Sequence, residues 1–421
     1  MNTRVLIAAG LGLVAVAAGT ALSTNVSWAS HRAAPTTTAT APSRRSGFSE
    51  LAFRDTQIAV WHQALDADPK SALALGQLAA FHAQRAREGG GWSDYITAEQ
   101  YARRSIALRT NRNAPTTVTL VSVLLAQHRF TEARAEAAAL VAREPDIPQY
   151  RSLLGEVAME VGDYATTQTM FDSAWSERAS LGTAPRLARW MELNGHIRDA
   201  RRMLTAARDD ALSRGDVASE TKAWFNLRVA DLELRAGRFN AAESALRAGL
   251  AIEPDDPRLF AAMARLAAAR REPRDVINWG ERAIGLQLDP ATLGLVGDAY
   301  AALGDTAKST EYFHTLEIAV SAQPGAYHRA WSLYLLDHGL RVDEVLRKAQ
   351  DELVNRKDIY GYDLVAWALH KSGRDQEAAT MMRQALRLNT PDPLLARHAA
   401  EISTATGTVI TVVNAATDDG R

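Results

Sequence analysis

The stretch 232-LELRAGRFNAAESALRAGLAIEPDDP-257 reads as the end of one helix, a hinge at Gly237, a second helix and a stop at Pro254. Glycine at the hinge tolerates the left-handed backbone that two helices joined by a tight turn require. Proline after the second helix cannot continue it and starts the next unit. Helix ends of the same form recur as ALDADP at 64–69, AIGLQLDP at 283–290 and ALRLNTP at 385–391, with VAREP at 141–145 as a looser copy. The steps from Pro254 to Pro290 to Pro324 are 36 and 34 residues. A fixed period of this size is the mark of a repeat array.

A second signature lies inside each unit. LVGDAYAALGDTAKSTEYF (295–313) places Gly297, Tyr300, Gly304 and Phe313 at steps of 3, 4 and 9 residues. LLGEVAMEVGDYATTQTMFDSA (153–174) repeats the set with Gly155, Ala158, Gly162, Phe171 and Ala174, and VAWALHKSGRDQEAATMMRQA (365–385) with Ala366, Leu369, Gly373, Ala378, Met382 and Ala385. These positions resemble the tetratricopeptide repeat: small at the eighth, bulky at the eleventh, a turn glycine at the fifteenth, alanine at the twentieth and twenty-seventh. The resemblance implies an all-α fold, an α-solenoid with a right-handed superhelix of about nine helix pairs. Small residues such as Ala200, Ala242 and Ala378 let helix axes approach closely, while Phe171, Leu246, Phe313 and Met382 fill the next groove. One pair cannot bury both of its faces, whereas stacked pairs can, with stability summed over nearest neighbours.

The pattern divides into a leading helix at 48–67 and pairs at 70–109, 113–145, 148–180, 183–214, 217–254, 257–290, 291–323, 325–358 and 359–391. The repeat is clear at 148–180, 217–254, 291–323 and 359–391, and degenerate at 70–109, 183–214 and 325–358. REGGGWSDY inserts glycines 89–91 into the first pair and is expected to break its turn open. The stretch from Trp224 and Leu227 to Gly237 is two residues too long, so that helix is expected to run longer or bulge. The solenoid is expected to span 48–400, and the tail 401–421, ISTATGTVITVVNAATDDGR after its first residue, to form a short strand or a disordered end.

The net charge of −1 over 421 residues offers no global field for nucleic acid or acidic lipid, and 47% hydrophobic residues suffice for a core. Cysteine is absent from the sequence, which removes disulfides, thiolate metal sites and a lipid-modified cysteine. MNTR, the apolar run Val5 to Leu22 and the small-residue exit STNVSWAS follow the order of a secretory signal over residues 1–29, with cleavage after Ala29. The run is also long enough for a retained membrane anchor at 5–22, although its glycines and alanines keep it only moderately hydrophobic. Residues 30–47, rich in Thr, Ala, Pro and Ser, read as a flexible tether. The body is therefore expected to be exported, periplasmic or secreted.

Motifs for phosphate loops, zinc proteases and hydrolase elbows do not occur in the sequence after residue 30, and no catalytic residue, metal or cofactor is expected. His328 and His338 are ten residues apart and do not share a helical face as metal ligands at i, i+4 would. Asp255 and Asp256 read as caps of the helix after Pro257. Trp61, Trp175, Trp224 and Trp279 fall where the repeat buries bulk, whereas Trp367 falls at the ninth position, which faces the groove. The resemblance implies that a protein or peptide partner lies along the inner faces of the first helices. Carried over by position, that gives Gln77, Ser122, Glu156, Arg189, Arg265, Asp298, Arg329, Asp363, Trp367 and His370. Asp363, Trp367 and His370, on successive turns of one helix, form the best candidate patch. No lysine and asparagine ladder of the kind that clamps a terminal carboxylate is visible.

These readings favour a non-enzymatic scaffold in a bacterial envelope, binding a protein partner and no nucleic acid. A membrane-anchored assembly factor is the second reading. An enzyme or carbohydrate-binding module within 70–109 or 325–358 is the third, and it requires a deep polar pocket with a perturbed acid there.

Overall fold

Capped or proline-led starts, left-handed turns and alanine-rich faces set the helices in tandem. The computed structural model describes residues 50–175, 180–321 and 329–410, so the proposed signal, the tether, Pro324, His328 and the end of the tail lie outside the described residues. A leading helix, α1 (Glu50–Ala67), precedes nine pairs, and no strand occurs among the described residues. The first four pairs are α2 (Ala72–Arg85) with α3 (Trp92–Leu108), α4 (Ala114–Ala126) with α5 (Phe130–Arg143), α6 (Pro148–Glu160) with α7 (Tyr164–Trp175), and α8 (Ala184–Leu193) with α9 (Ile197–Ser213). The next three are α10 (Ser219–Arg235) with α11 (Phe239–Ile252), α12 (Pro257–Ala269) with α13 (Pro273–Leu286), and α14 (Pro290–Ala302) with α15 (Thr306–Ser321). The last two are α16 (Arg329–Asp337) with α17 (Val342–Leu353) and α18 (Ile359–Lys371) with α19 (Asp375–Ala385). The array is an all-α solenoid in which each helix packs on its neighbours in sequence.

The repeat signature is a packing rule. A Cβ on Gly155 would stand 2.6 Å from the Phe171 ring, and one on Gly297 would stand 2.8 Å from the Phe313 ring, so the same ring sits over the same bare backbone in two pairs. Ala200, Ala242 and Ala378 are fully buried at the close approaches between helices. Ala242→Leu, which forces extra carbons into this contact, is expected to cost about 1–3 kcal/mol in urea unfolding; an unchanged midpoint would contradict the packing. Asp256 caps α12 by accepting from the Arg258 amide, as expected, while Asp255 is exposed. In the opening stretch α10 runs 17 residues against 13 for α12, which absorbs the two extra residues before Gly237 by lengthening.

Three expectations change. The glycine insertion does not break the first turn open: α2 passes into a π-helical turn, Ala86–Gly90, and Gly91 at φ 84° starts α3. The solenoid continues past residue 400, because α20 (Pro393–Thr406) is a further helix capped by Asp392 and stopped by Gly407 at φ 64°, with no strand at 401–406. Trp61, Trp224 and Trp279 are only half-buried, at the rims of core clusters, and the Trp175 side chain lies outside the described residues.

The array also departs from nearest-neighbour packing. The turn after α6 meets the loop before α18: the Lys357 amide donates to the Val161 carbonyl at 2.9 Å, and Arg356 Nε donates to the Glu160 carbonyl at 3.2 Å. Beside it the Ile359 amide donates to the Tyr164 hydroxyl at 2.9 Å, and Thr390 Oγ1 donates to the Leu193 carbonyl at 2.6 Å. One apolar cluster crosses this seam, joining Phe171, Leu187, Trp190 and Leu193 to Ile359, Trp367 and Leu386. A second, smaller seam lies near the start, where the Glu50 carboxylate accepts from the Ser219 amide at 3.0 Å and its hydroxyl at 2.9 Å. A carboxylate there suits the positive end of α10.

The main seam gathers carboxylates. Burial pushes the Glu352 carboxyl up to about 7, against the pull of Arg356 and with a push from Asp358, and burial likewise raises Glu160 and Asp358. A raised carboxyl means the folded state holds a proton that the unfolded chain has released. Stability is therefore full below the ordinary glutamate range and falls as pH rises through about 7. Glu352→Gln is expected to raise stability at pH 8 by on the order of 2 kcal/mol and to change nothing at pH 4, read as melting temperature against pH.

Candidate binding surface

The first helices from α8 to α12 bury most of their circumference, and what stays accessible defines the inner face. On α8 only Arg189 keeps any substantial exposure. On α10 the accessible residues Trp224, Arg228, Asp231 and Arg235 recur at helical spacing along one stripe. On α12, Arg265 is exposed between buried turns. These side chains form a continuous charged row across three consecutive pairs. Glu192 sits between Arg189, at 2.9 Å, and Arg235, and Asp231 sits between Arg228, at 3.4 Å, and Arg265, at 2.9 Å. Burial alone would raise the Glu192 carboxyl, but the Arg189 and Arg235 guanidiniums outweigh it and hold it at about 2. Burial, reinforced by Arg235 and Arg189, pushes the Arg228 guanidinium below its ordinary value despite Asp231.

The structure separates the residues expected in the groove. Arg189 and Arg265 belong to the charged row. Gln77 and Ser122 are partly accessible on α2 and α4, but the Ser122 hydroxyl donates to the Val118 carbonyl of its own helix at 3.0 Å. Glu156 pairs with Arg186 at 2.6 Å across α6 and α8. Asp298 is exposed on α14, and the protein around it, with Asp337, pushes its carboxyl up against the pull of His338.

The best candidate patch from sequence is not a surface. Trp367 is 1% exposed and Asp363 is fully buried. The reason is α20, which the repeat pattern did not anticipate. Its His398 stacks on the Trp367 ring at 4.0 Å and pairs with Asp363 Oδ1 at 2.7 Å, while Trp367 Nε1 donates to Asp337 Oδ1 at 2.7 Å. Arg329 reaches the other oxygen of Asp363. His370 is half-buried, with Nδ1 at 2.6 Å from Asp375. The inner face is thus sealed at α18 by α20 and accessible at α8 to α12.

Arg228, Asp231 and Arg235 were missed in sequence because the extra residues before Gly237 put that unit out of register, so none of its positions could be carried over. Their own spacing of three and four residues on one helix was the signal available. In the pairs at 70–109 and 325–358 the raised carboxyls of Glu88 and Glu352 owe their shifts first to burial; Glu88 pairs with Arg54 of α1, and Glu352 stands beside the main seam. A cavity of about 290 Å³ lies elsewhere, between α7, α8 and α9, and is lined by Gln168, Phe171, Trp190, Asn194 and His196 among others. Among the described residues no cluster of three or more His, Asp or Glu is arranged to hold a metal, and no helix is long and apolar enough to cross a membrane.

With paired helices and glycine-under-ring contacts, the chain is an all-α helical-repeat solenoid whose packing is similar to that of tetratricopeptide repeats. No protein-family model matches it, and no curated protein matches it in sequence. Solved structures of similar backbone include the APC/C hetero-tetramer Cut9–Hcn1, at 13% identity and TM-score 0.47 over 83% of this chain. The match spans only 59% of that other chain. PilW, a widely conserved type IV pilus biogenesis factor, aligns over 53% of this chain and 99% of its own at 19% identity and TM-score 0.41. The human IFIT1 dimer with m7Gppp-AAAA aligns over 80% and 87% at 12% identity and TM-score 0.44.

Proposed function

We propose that the chain is an exported, non-enzymatic scaffold of a bacterial envelope that holds a segment of a protein partner along its inner face. The observation that carries this reading is the continuous row of accessible charged side chains on α8, α10 and α12, set on helices whose other faces are buried. Stacked helix pairs hold such a row rigid, which limits the entropy lost when a partner docks. Photocrosslinking in the native envelope from positions 228 and 265 is expected to trap a discrete partner that position 247, on the outer face of α11, does not. Equal yields from both faces would refute it.

Export is supported by the charged start, apolar run and small-residue exit of residues 1–29. The mature chain should then be lighter than the full one by about 3 kDa in intact mass. Full mass in a membrane fraction would favour instead a scaffold anchored by residues 5–22, an assembly factor held at the membrane.

A further inference from the structure

We propose that the inner-face arginines Arg189, Arg228, Arg235 and Arg265 hold an internal acidic segment of a partner polypeptide, engaging its Asp and Glu side chains. The proposal rests on the reading that the partner lies on the inner face, and it adds what that partner must be.

Charge complementarity decides the chemistry. Four guanidiniums share two carboxylates, Glu192 and Asp231, each carboxylate lying between two arginines. The four guanidiniums outnumber the carboxylates they pair with directly, and Asp392 approaches Arg189 through the Tyr360 hydroxyl, at 3.2 and 3.1 Å, in a chain whose net charge is −1. The low-lying Arg228 guanidinium feels the same surplus, after burial, from Arg235 and Arg189. Toward α14 the inner face turns acidic at exposed Asp298, while on the α6 side Glu156 is already paired with Arg186. The basic band is therefore bounded at α14. Helices packed about 8–10 Å apart give three successive inner helices a span of about 20 Å. That length matches about six residues of extended chain. Guanidinium forks bind carboxylates two bonds at a time, and an incoming carboxylate can take over a guanidinium that Glu192 or Asp231 now shares. The half-buried Trp224 ring at the end of the α10 stripe offers an apolar contact beside the charges. A nucleic acid continuing along the face would meet the exposed carboxylate of Asp298, which disfavours it.

The test uses the full chain and fluorescent peptides with a central run of glutamates, glutamines or lysines between serine flanks, together with a single-stranded RNA, read by anisotropy at low and moderate salt. The glutamate peptide is expected to bind, to weaken with salt, and to lose roughly tenfold or more in the Arg228→Gln/Arg265→Gln double variant. Arg247→Gln, on the exposed outer face, should leave it unchanged. Asp231→Asn removes a competing carboxylate and should tighten the glutamate peptide several-fold, a gain that damaged folding would not produce. Equal binding of the glutamine peptide, binding of RNA alone, or no binding of the glutamate peptide overturns the proposal. A photoreactive residue in place of Arg265 separates the two failures. A partner trapped there without an acidic segment overturns the acidic assignment alone, and a partner trapped only from position 247 overturns the inner-face reading as well.

Discussion

Trp367→Ala is expected to destabilise the protein by about 3–5 kcal/mol, because it empties a fully enclosed site. The ring is stacked under His398, carries the Lys371 ammonium at 4.2 Å, and donates to Asp337, so its loss leaves a cavity and a carboxylate deprived of a donor. Urea unfolding followed by far-ultraviolet circular dichroism measures the loss directly. Binding by the fraction that stays folded should be unchanged. A stable Trp367→Ala protein that fails only in partner binding would return this residue to the surface.

Gly162→Ala is the second large effect. Gly162 has φ 78°, a conformation that costs a side chain about 1 kcal/mol, and a Cβ there would run into the Lys357 carbonyl across the main seam. Since both sides are backbone, relief requires the seam to part. A total loss of roughly 2–4 kcal/mol is expected, with a larger radius of gyration in small-angle scattering. Gly237→Ala is the matched comparison: its φ is 72° but nothing lies within 4 Å, so only the backbone cost of about 1 kcal/mol should appear and the radius should hold. Equal effects at the two glycines would mean that the seam contributes nothing.

Much of the fold was legible because helical-repeat packing writes itself locally. Gly155 under Phe171 and Gly297 under Phe313 are set by sequence spacing alone, as are the left-handed turn glycines from Gly162 to Gly373. In the pairs of α4 and α12 the same turn is made by His128 at φ 58° and Arg271 at φ 62°, which hid their hinges from a search for glycine. The seam was not legible, because a hydrogen bond between Lys357 and Val161 has no period and no motif. The surface was legible in part. Arg189 and Arg265 followed from register, Arg228 and Arg235 were lost to a two-residue lengthening of α10, and Trp367 was misplaced because a helix beyond the last full repeat covers it.

The main seam also limits how such a chain can evolve. Repeat arrays ordinarily change length by duplicating or losing whole units, since each unit touches only its neighbours. Here the turns at Val161 and Leu193 must arrive opposite Lys357 and Thr390, so the number of units between them is counted by the structure itself. One more or one fewer pair anywhere from α8 to α17 would carry these partners out of alignment. With Glu50 tied to Ser219 in the same way, variation in unit number should be confined to the chain after Thr390, and substitution rather than duplication is the route left for changing what the inner face recognises.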